Sequence, residues 1–237
     1  MFRRPPRRRL AAGGKLIAIV GGDGAGKSSA VQNACGWLSK IFVVHRVHLG
    51  KPPRSISSSL VRAARVARRL MLGSSTTHTP SEKGTTLEPP PRLLDLLWYS
   101  LLARDRYRAY ARARRVATGG GIVVCDRYPL RQIKLMDGPK SGHLPSAACL
   151  TGLAGRLVQL ERGYYDRIEA PDVLIVLRVD PDVAVQRRGD EEAVFVRARS
   201  AEIWDLDWEA SGACVVDANR SKEQVLLDVK SALWRRI

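Results

Sequence analysis

Acidic residues are scarce in this chain: 23 Asp and Glu stand against 40 Lys and Arg, a formal net charge of +17 over 237 residues. Arginine supplies 31 of the basic residues and lysine nine. Such an excess favours contact with phosphates, but charge by itself speaks to non-specific association more than to function. The arginines also do not form one patch. They sit near the N-terminus (Arg3, Arg4, Arg7, Arg8, Arg9), in a helix-like segment (Arg62, Arg65, Arg68, Arg69) and in another between Arg104 and Arg115. No aromatic-interleaved platform or familiar DNA-reading motif accompanies them, so nucleic acid is not expected as the main partner.

Long apolar runs are missing too. None approaches the roughly 18 residues that cross a bilayer, so no membrane span is expected. The stretch Leu10 to Gly14 behind the basic N-terminus is far too short for a secretory signal core. No C-x-x-C pair occurs, and Cys35, Cys125, Cys149 and Cys214 are scattered, which suits free thiols in a reducing, cytoplasmic setting. Neither an internal repeat nor a linker is visible. With 45% hydrophobic residues, the length suits one domain. Residues 1–14 read as a basic, disordered leader, residues 15–237 as a single domain, and residues 73–91 as a long Ser/Thr/Pro-rich loop, flexible or functional.

What the chain does contain is concentrated in one place. Gly21-Gly22-Asp23-Gly24-Ala25-Gly26-Lys27-Ser28 is an unbroken G-x-x-x-x-G-K-S. It follows the apolar run at 16–20 and opens onto a helix pattern from Ser28 to Lys40. Glycines allow the tight turn that points backbone N–H groups inward, and the helix N-terminus adds partial positive charge. Lys27 is placed to reach the outer phosphates and the Ser28 hydroxyl to ligate Mg²⁺. The motif in this context implies a bound nucleoside triphosphate.

Strand patterns at 15–20, 42–48, 122–126, 172–179 and 213–217 alternate with helix patterns at 57–72, 92–117, 149–168, 181–188, 193–210 and 221–234. That alternation predicts an α/β doubly wound parallel sheet of about five strands in three layers. The run Ile122-Val123-Val124-Cys125 is apolar throughout and ends in Asp126, the way a buried parallel strand delivers a carboxylate to a sheet edge.

The loop motif alone fits many nucleotide enzymes, but the guanine-reading N-K-x-D is absent. Three features narrow the choice. Asp23, inside the loop, either faces outward toward Mg²⁺ water or an acceptor, or merely tightens the turn. Asp126-Arg127-Tyr128 either holds Mg²⁺ and clamps a phosphate, or is a structural ion pair. Arg187 and Arg188, with Arg197 and Arg199 beyond, either neutralise a phosphoryl group in transfer from a lid or form a solvated face.

Together these stretches resemble the thymidylate kinases, a family of nucleoside monophosphate kinases. The resemblance lies in Val20 to Ser29 with its internal Asp23, in Ala103-Arg104-Asp105-Arg106, in Gly121 to Tyr128, in Asp180 to Arg188, and in Val216-Asp217-Ala218. It implies a P-loop kinase fold with a short lid, and ATP and Mg²⁺ as cofactors. It further implies Gly21, Gly24, Ala25, Gly26, Lys27, Ser28 and Ser29 around the phosphates, with Ala218, Asn219 and Arg220 along the adenine. Asp23, Arg106, Arg127 and Tyr128 would serve the acceptor, Ser28 and Asp126 the metal. Lys27, Asp23, Arg127, Arg187 and Arg188 would carry the transfer.

The acceptor side departs from the family. Where its members carry R-E-P-G-G-T, this chain has His48-Leu49-Gly50-Lys51-Pro52-Pro53, and Pro129 to Lys134 replaces a polar turn. The expectation is a phosphotransferase acting on a small phosphorylated acceptor, most simply a nucleoside monophosphate. Two alternatives stay open: an ATP-binding regulatory or assembly protein with little transfer, and a kinase acting on a sugar or nucleoside hydroxyl. A homodimer is compatible with any of these.

Overall fold

The computed structural model describes residues 7–71, 93–142, 152–189 and 192–237. The expected loop at 73–91, Cys149 and the first six residues of the expected leader lie outside the described residues. The chain folds into two compact units, one of residues 1–52, 108–138 and 168–237, the other of 53–107 and 139–167.

The first unit holds a five-stranded sheet, all parallel, in the order β2-β3-β1-β4-β5. Its strands are β1 (Lys15–Gly21), β2 (Val44–His48), β3 (Ile122–Asp126), β4 (Val173–Arg178) and β5 (Cys214–Asp217). β1 lies centrally, paired to β3 and β4, so its run Leu16 to Val20 is buried on both faces. That explains why its sequence is continuously apolar instead of alternating. On one face Ile17, Ile19, Val124, Ile175 and Leu177 join a core with α1 (Lys27–Leu38) and α7 (Lys222–Trp234). The chain reverses direction around β1, with β3 and β2 to one side and β4 and β5 to the other. In open parallel sheets that switch point is where a crevice forms at the carboxyl ends of the strands.

Local signals set the helix starts. Asp180 caps α5 (Pro181–Arg187), its carboxylate accepting from the N–H groups of Asp182 and Val183. Ser221 and Gln224 form a capping box at the start of α7. Two of the boundaries that differ from the sequence expectation have a clear physical cause. β2 begins at Val44, because Ile41 and Val43 bond instead to Arg8, at 2.8 Å and 3.0 Å. Helix α6 (Ala193–Asp205) stops five residues early. Leu206 is extended (ψ 137°), and Trp208 folds back into the core with its indole N–H on the Ile203 carbonyl at 2.9 Å.

The second unit contains α2 (Ile56–Met71), the first half of α3 (Leu93–Thr118) and α4 (Gly152–Asp166). Ser100 joins α3 to α4 through a 2.8 Å bond to the Leu157 carbonyl. Glu161, fully buried, accepts from the N–H groups of Lys140 and Ser141.

Candidate active site

The G-x-x-x-x-G-K-S loop, expected to hold phosphates and so called the phosphate loop, connects β1 to α1 in the first unit. Gly24 and Gly26 hold left-handed backbone (φ 75° and 82°), which L side chains rarely adopt, and Gly26 caps α1. Gly22 is required for another reason. A Cβ there would lie 2.7 Å from Ser200 Oγ and 2.9 Å from Ser200 Cα. The loop is thus pressed against α6, and the Ser200 hydroxyl donates to the Asp23 carbonyl at 3.4 Å.

Lys27 is buried, its Nζ donating to the Gly22 carbonyl at 2.5 Å and lying 3.7 Å from Asp23 Oδ1. Asp23 is 2% exposed and surrounded by cations. Its Oδ1 also lies 3.7 Å from Arg127 Nη2, and its Oδ2 accepts from Arg199 Nη1 at 3.0 Å. Burial pushes the Asp23 pKa up, but the Arg199 hydrogen bond and the charges of Lys27, Arg199 and Arg127 outweigh it and hold the carboxyl below its ordinary value. Burial pushes the Lys27 ammonium down to about 8, against the attraction of Asp23.

Asp126 ends β3 beside this cluster, 3% exposed, with Arg46 Nη2 at 3.4 Å from its Oδ2. Arg127 follows with φ 59°, the one non-glycine at positive φ among the described residues. Such a conformation costs of order 1–3 kcal/mol and persists only where its surroundings hold it. Here the surroundings are tight: a Cβ on Gly50 would lie 2.7 Å from Arg127 Cδ and 2.9 Å from Asp137 Oδ1. Tyr128 is turned inward. It is buried, donates to the Glu169 carbonyl at 2.5 Å, and meets Tyr110 edge-on.

Asp23, Lys27, Ser28, Ser29, Arg127, Arg187 and Arg188 line one cavity of about 240 Å³ with Gly24 and Gly26. Within it Ser28 is exposed at the first turn of α1. Arg187 is tied to the loop after β5, donating to the carbonyls of Ala218 (2.8 Å) and Asn219 (3.3 Å). That loop is itself fastened. Ala218 N–H bonds the Arg178 carbonyl, Asn219 Oδ1 accepts from Asp180 N–H, and Arg220 pairs with Asp228. In the second unit Arg106 is buried, stacks over the Tyr165 ring and donates to its hydroxyl.

In the sequence Asp137 and Ser200 belong to no motif, and Gly50 stands out only as part of the departure at 48–53. Arg199 was visible only as one of several late arginines. A signal did exist for α6, where Val196, Ser200 and Ile203 recur at helical spacing and are all buried, which turns that face to the loop.

No protein-family model matches the chain. It is 29% identical over 237 residues to a thymidylate kinase of Chromohalobacter salexigens, covering 94% of this chain and 97% of that one. It is 25% identical over 226 residues to the "Uncharacterized ATP-binding protein YghR" of Escherichia coli K12, covering 92% and 86%. Its fold is shared with the thymidylate kinase of Candida albicans, at a TM-score of 0.58 and 17% identity over 95% and 93% of the two chains. In sequence and in fold, the chain is thymidylate kinase-like, a nucleoside monophosphate kinase-like enzyme.

Proposed function

We propose that this protein transfers the terminal phosphoryl group of ATP to a small acceptor that already carries a phosphate, a nucleoside monophosphate in the simplest case. The observation that carries the reading is Asp23 buried among Lys27, Arg127 and Arg199 over the phosphate loop. The three cations converge where charge moves during transfer, and phosphoryl transfer depends mainly on positioning and charge neutralisation.

Each group then has a task. The loop amides and Lys27 hold the β- and γ-phosphates. Arg127, fixed by its backbone and by Gly50, grips the acceptor phosphate. Arg188 lines the same cavity and faces the transferred group. Arg187 instead braces the loop of Ala218, Asn219 and Arg220, which borders the adenine. Mg²⁺ fits this donor set. It needs few protein oxygens beside phosphates and water, and Ser28 Oγ and the Asp126 carboxylate supply them. Bound there, the ion would neutralise charge on the phosphates.

A hydroxyl acceptor would need a general base. Asp23 suits that role poorly, because the surrounding cations hold its carboxyl below the ordinary value. An acceptor phosphate is a nucleophile at neutral pH and needs no base.

A second reading, an ATP-binding protein with little transfer, draws support from the likeness to proteins named only as ATP-binding. The test is ADP release from ATP·Mg²⁺ with a panel of nucleoside monophosphates, dTMP included, with Lys27→Ala as control. Turnover with one acceptor, falling about 10²–10³-fold in the variant, supports transfer. ATP binding without turnover on any acceptor would support the second reading.

A further inference from the structure

The phosphate cavity uses few of the 40 basic residues, and the fold gathers others in a second place. A groove of about 630 Å³ lies in the first unit, between α7 and α1 with the turn behind it. Lys40, Lys222 and Lys230, three of the chain's nine lysines, line it together with Trp37 and Gly36. No described acidic residue lines it. Asp228 on α7 is paired with Arg220, and Glu223 stands outside the lining. The groove runs from Ser29 to Lys40, about 16 Å at the rise of a helix, and so leads away from the phosphate loop.

Two indoles meet at its far end. Trp37 is half-buried and lies 5.9 Å from Trp234, ring centroid to ring centroid, at an interplanar angle of 58°. Trp234 is 65% exposed. These residues come from opposite ends of the chain, so where the sequence shows no aromatic-interleaved basic stretch, the fold builds one. Gly36 leaves the wall beside Trp37 bare. A glycine inside a helix weakens it, and packing does not require this one, since a Cβ there would meet nothing within 4 Å.

A cationic groove with exposed aromatic rings is what a single strand of nucleic acid matches, its bases stacking while its backbone follows the charges. An acidic peptide would answer the lysines and leave the indoles unused. We infer that the α1–α7 groove binds single-stranded nucleic acid, with bases stacked at Trp234 and beside Trp37 and phosphates along Lys40, Lys222 and Lys230. The inference does not depend on which acceptor the enzyme uses, or on phosphoryl transfer.

Fluorescence anisotropy of the full chain with a fluorescein-labelled oligothymidylate of about twelve nucleotides tests it. Trp234→Ala should weaken binding at least about fivefold, the loss of one stacked base. If that variant does not fold, Trp234→Leu keeps an apolar contact to Trp37. Lys40→Ala combined with Lys230→Ala should lower the slope of log affinity against log salt by about 1.4. Gly36→Met should fill the bare wall and weaken binding severalfold, while the unfolding midpoint rises because methionine is the better helix former. A merely structural role for Gly36 would not move those two readouts in opposite directions. No binding at about 50 mM salt would overturn the inference. Binding indifferent to all these changes would do the same, because arginines elsewhere would then carry it. So would displacement by saturating ATP·Mg²⁺, which would place the strand in the phosphate cavity. Displacement by polyglutamate as readily as by unlabelled oligonucleotide would also overturn it, because only charge would then be read.

Discussion

Two glycines beside the candidate site leave no room for a side chain, and they give way to different things. Gly22 yields to the backbone and hydroxyl of Ser200, so the phosphate loop is seated on α6. Gly50 yields to the flexible side chain of Arg127 and to Asp137, so the turn after β2 is shaped around a catalytic candidate. The first contact is rigid and structural. The second can deform, and its deformation moves an arginine. The phosphate loop is therefore held against backbone that cannot move aside, whereas the turn at Gly50 is held against a side chain that can.

The largest effect should follow from filling the rigid gap. Gly22→Ala places a Cβ 2.9 Å from Ser200 Cα, which only a backbone shift relieves, at about 3 kcal/mol. Denaturant unfolding should show that loss, and ATP·Mg²⁺ affinity should fall with it. A variant as stable as the parent would mean that α6 does not anchor the loop. Asp23→Asn probes the point where both regions meet. It leaves Lys27, Arg127 and Arg199 without their shared carboxylate, a loss of about 2 kcal/mol, reduced because both arginines are near one-third exposed (31% and 37%). ATP·Mg²⁺ should bind the variant more tightly by calorimetry, since its phosphates then meet Lys27 and Arg127 without a competing carboxylate. Weaker binding would show that Asp23 does not compete for those cations.

The same contrast governs what could be read from the chain alone. The phosphate loop, the strand Ile122–Asp126 and the capping box at Ser221 are local. Each is fixed by residues within a few positions, so spacing reveals them. Asp126 and Arg127 were legible because a strand end places them. Asp137 was not, because its segment has no periodicity and its meeting with Gly50 spans 87 positions. The Arg199 contact to Asp23 spans 176 positions, and in the sequence Arg199 differs little from Arg197, which pairs instead with Asp182. Tyr128 follows Arg127 directly, yet it points into the core at Glu169. Adjacency in a motif does not decide which way a side chain turns when the backbone between them takes a positive φ.

Filling the deformable gap should cost less stability and more function. Gly50→Ala displaces Arg127 Cδ, 2.7 Å from the new methyl, and that side chain can move. We expect kcat/KM for whichever nucleoside monophosphate is turned over to fall about tenfold, or about 1.4 kcal/mol, with ATP·Mg²⁺ affinity unchanged. Equal losses on donor and acceptor would erase the distinction between the two glycines.

The smallest effect is on pH, and here affinity and stability should move in opposite directions. Folded Lys27 releases its proton near 8, whereas in the unfolded chain it would hold it to about 10.5. Between those values the unfolded state binds more protons, so this group makes the protein more stable as pH rises from 8. From pH 8 to 9 the gain is about 1 kcal/mol. The triphosphate needs the ammonium, so its affinity should weaken over the same interval, approaching about tenfold per pH unit well above 8. Calorimetric titration and urea unfolding at pH 7, 8 and 9 measure both. Lys27→Met should flatten the two profiles together. Affinity that stays level from pH 7 to 9 in the parent would mean that Lys27 keeps its charge throughout. Burial in the rigid loop would then not depress its pKa against the attraction of Asp23.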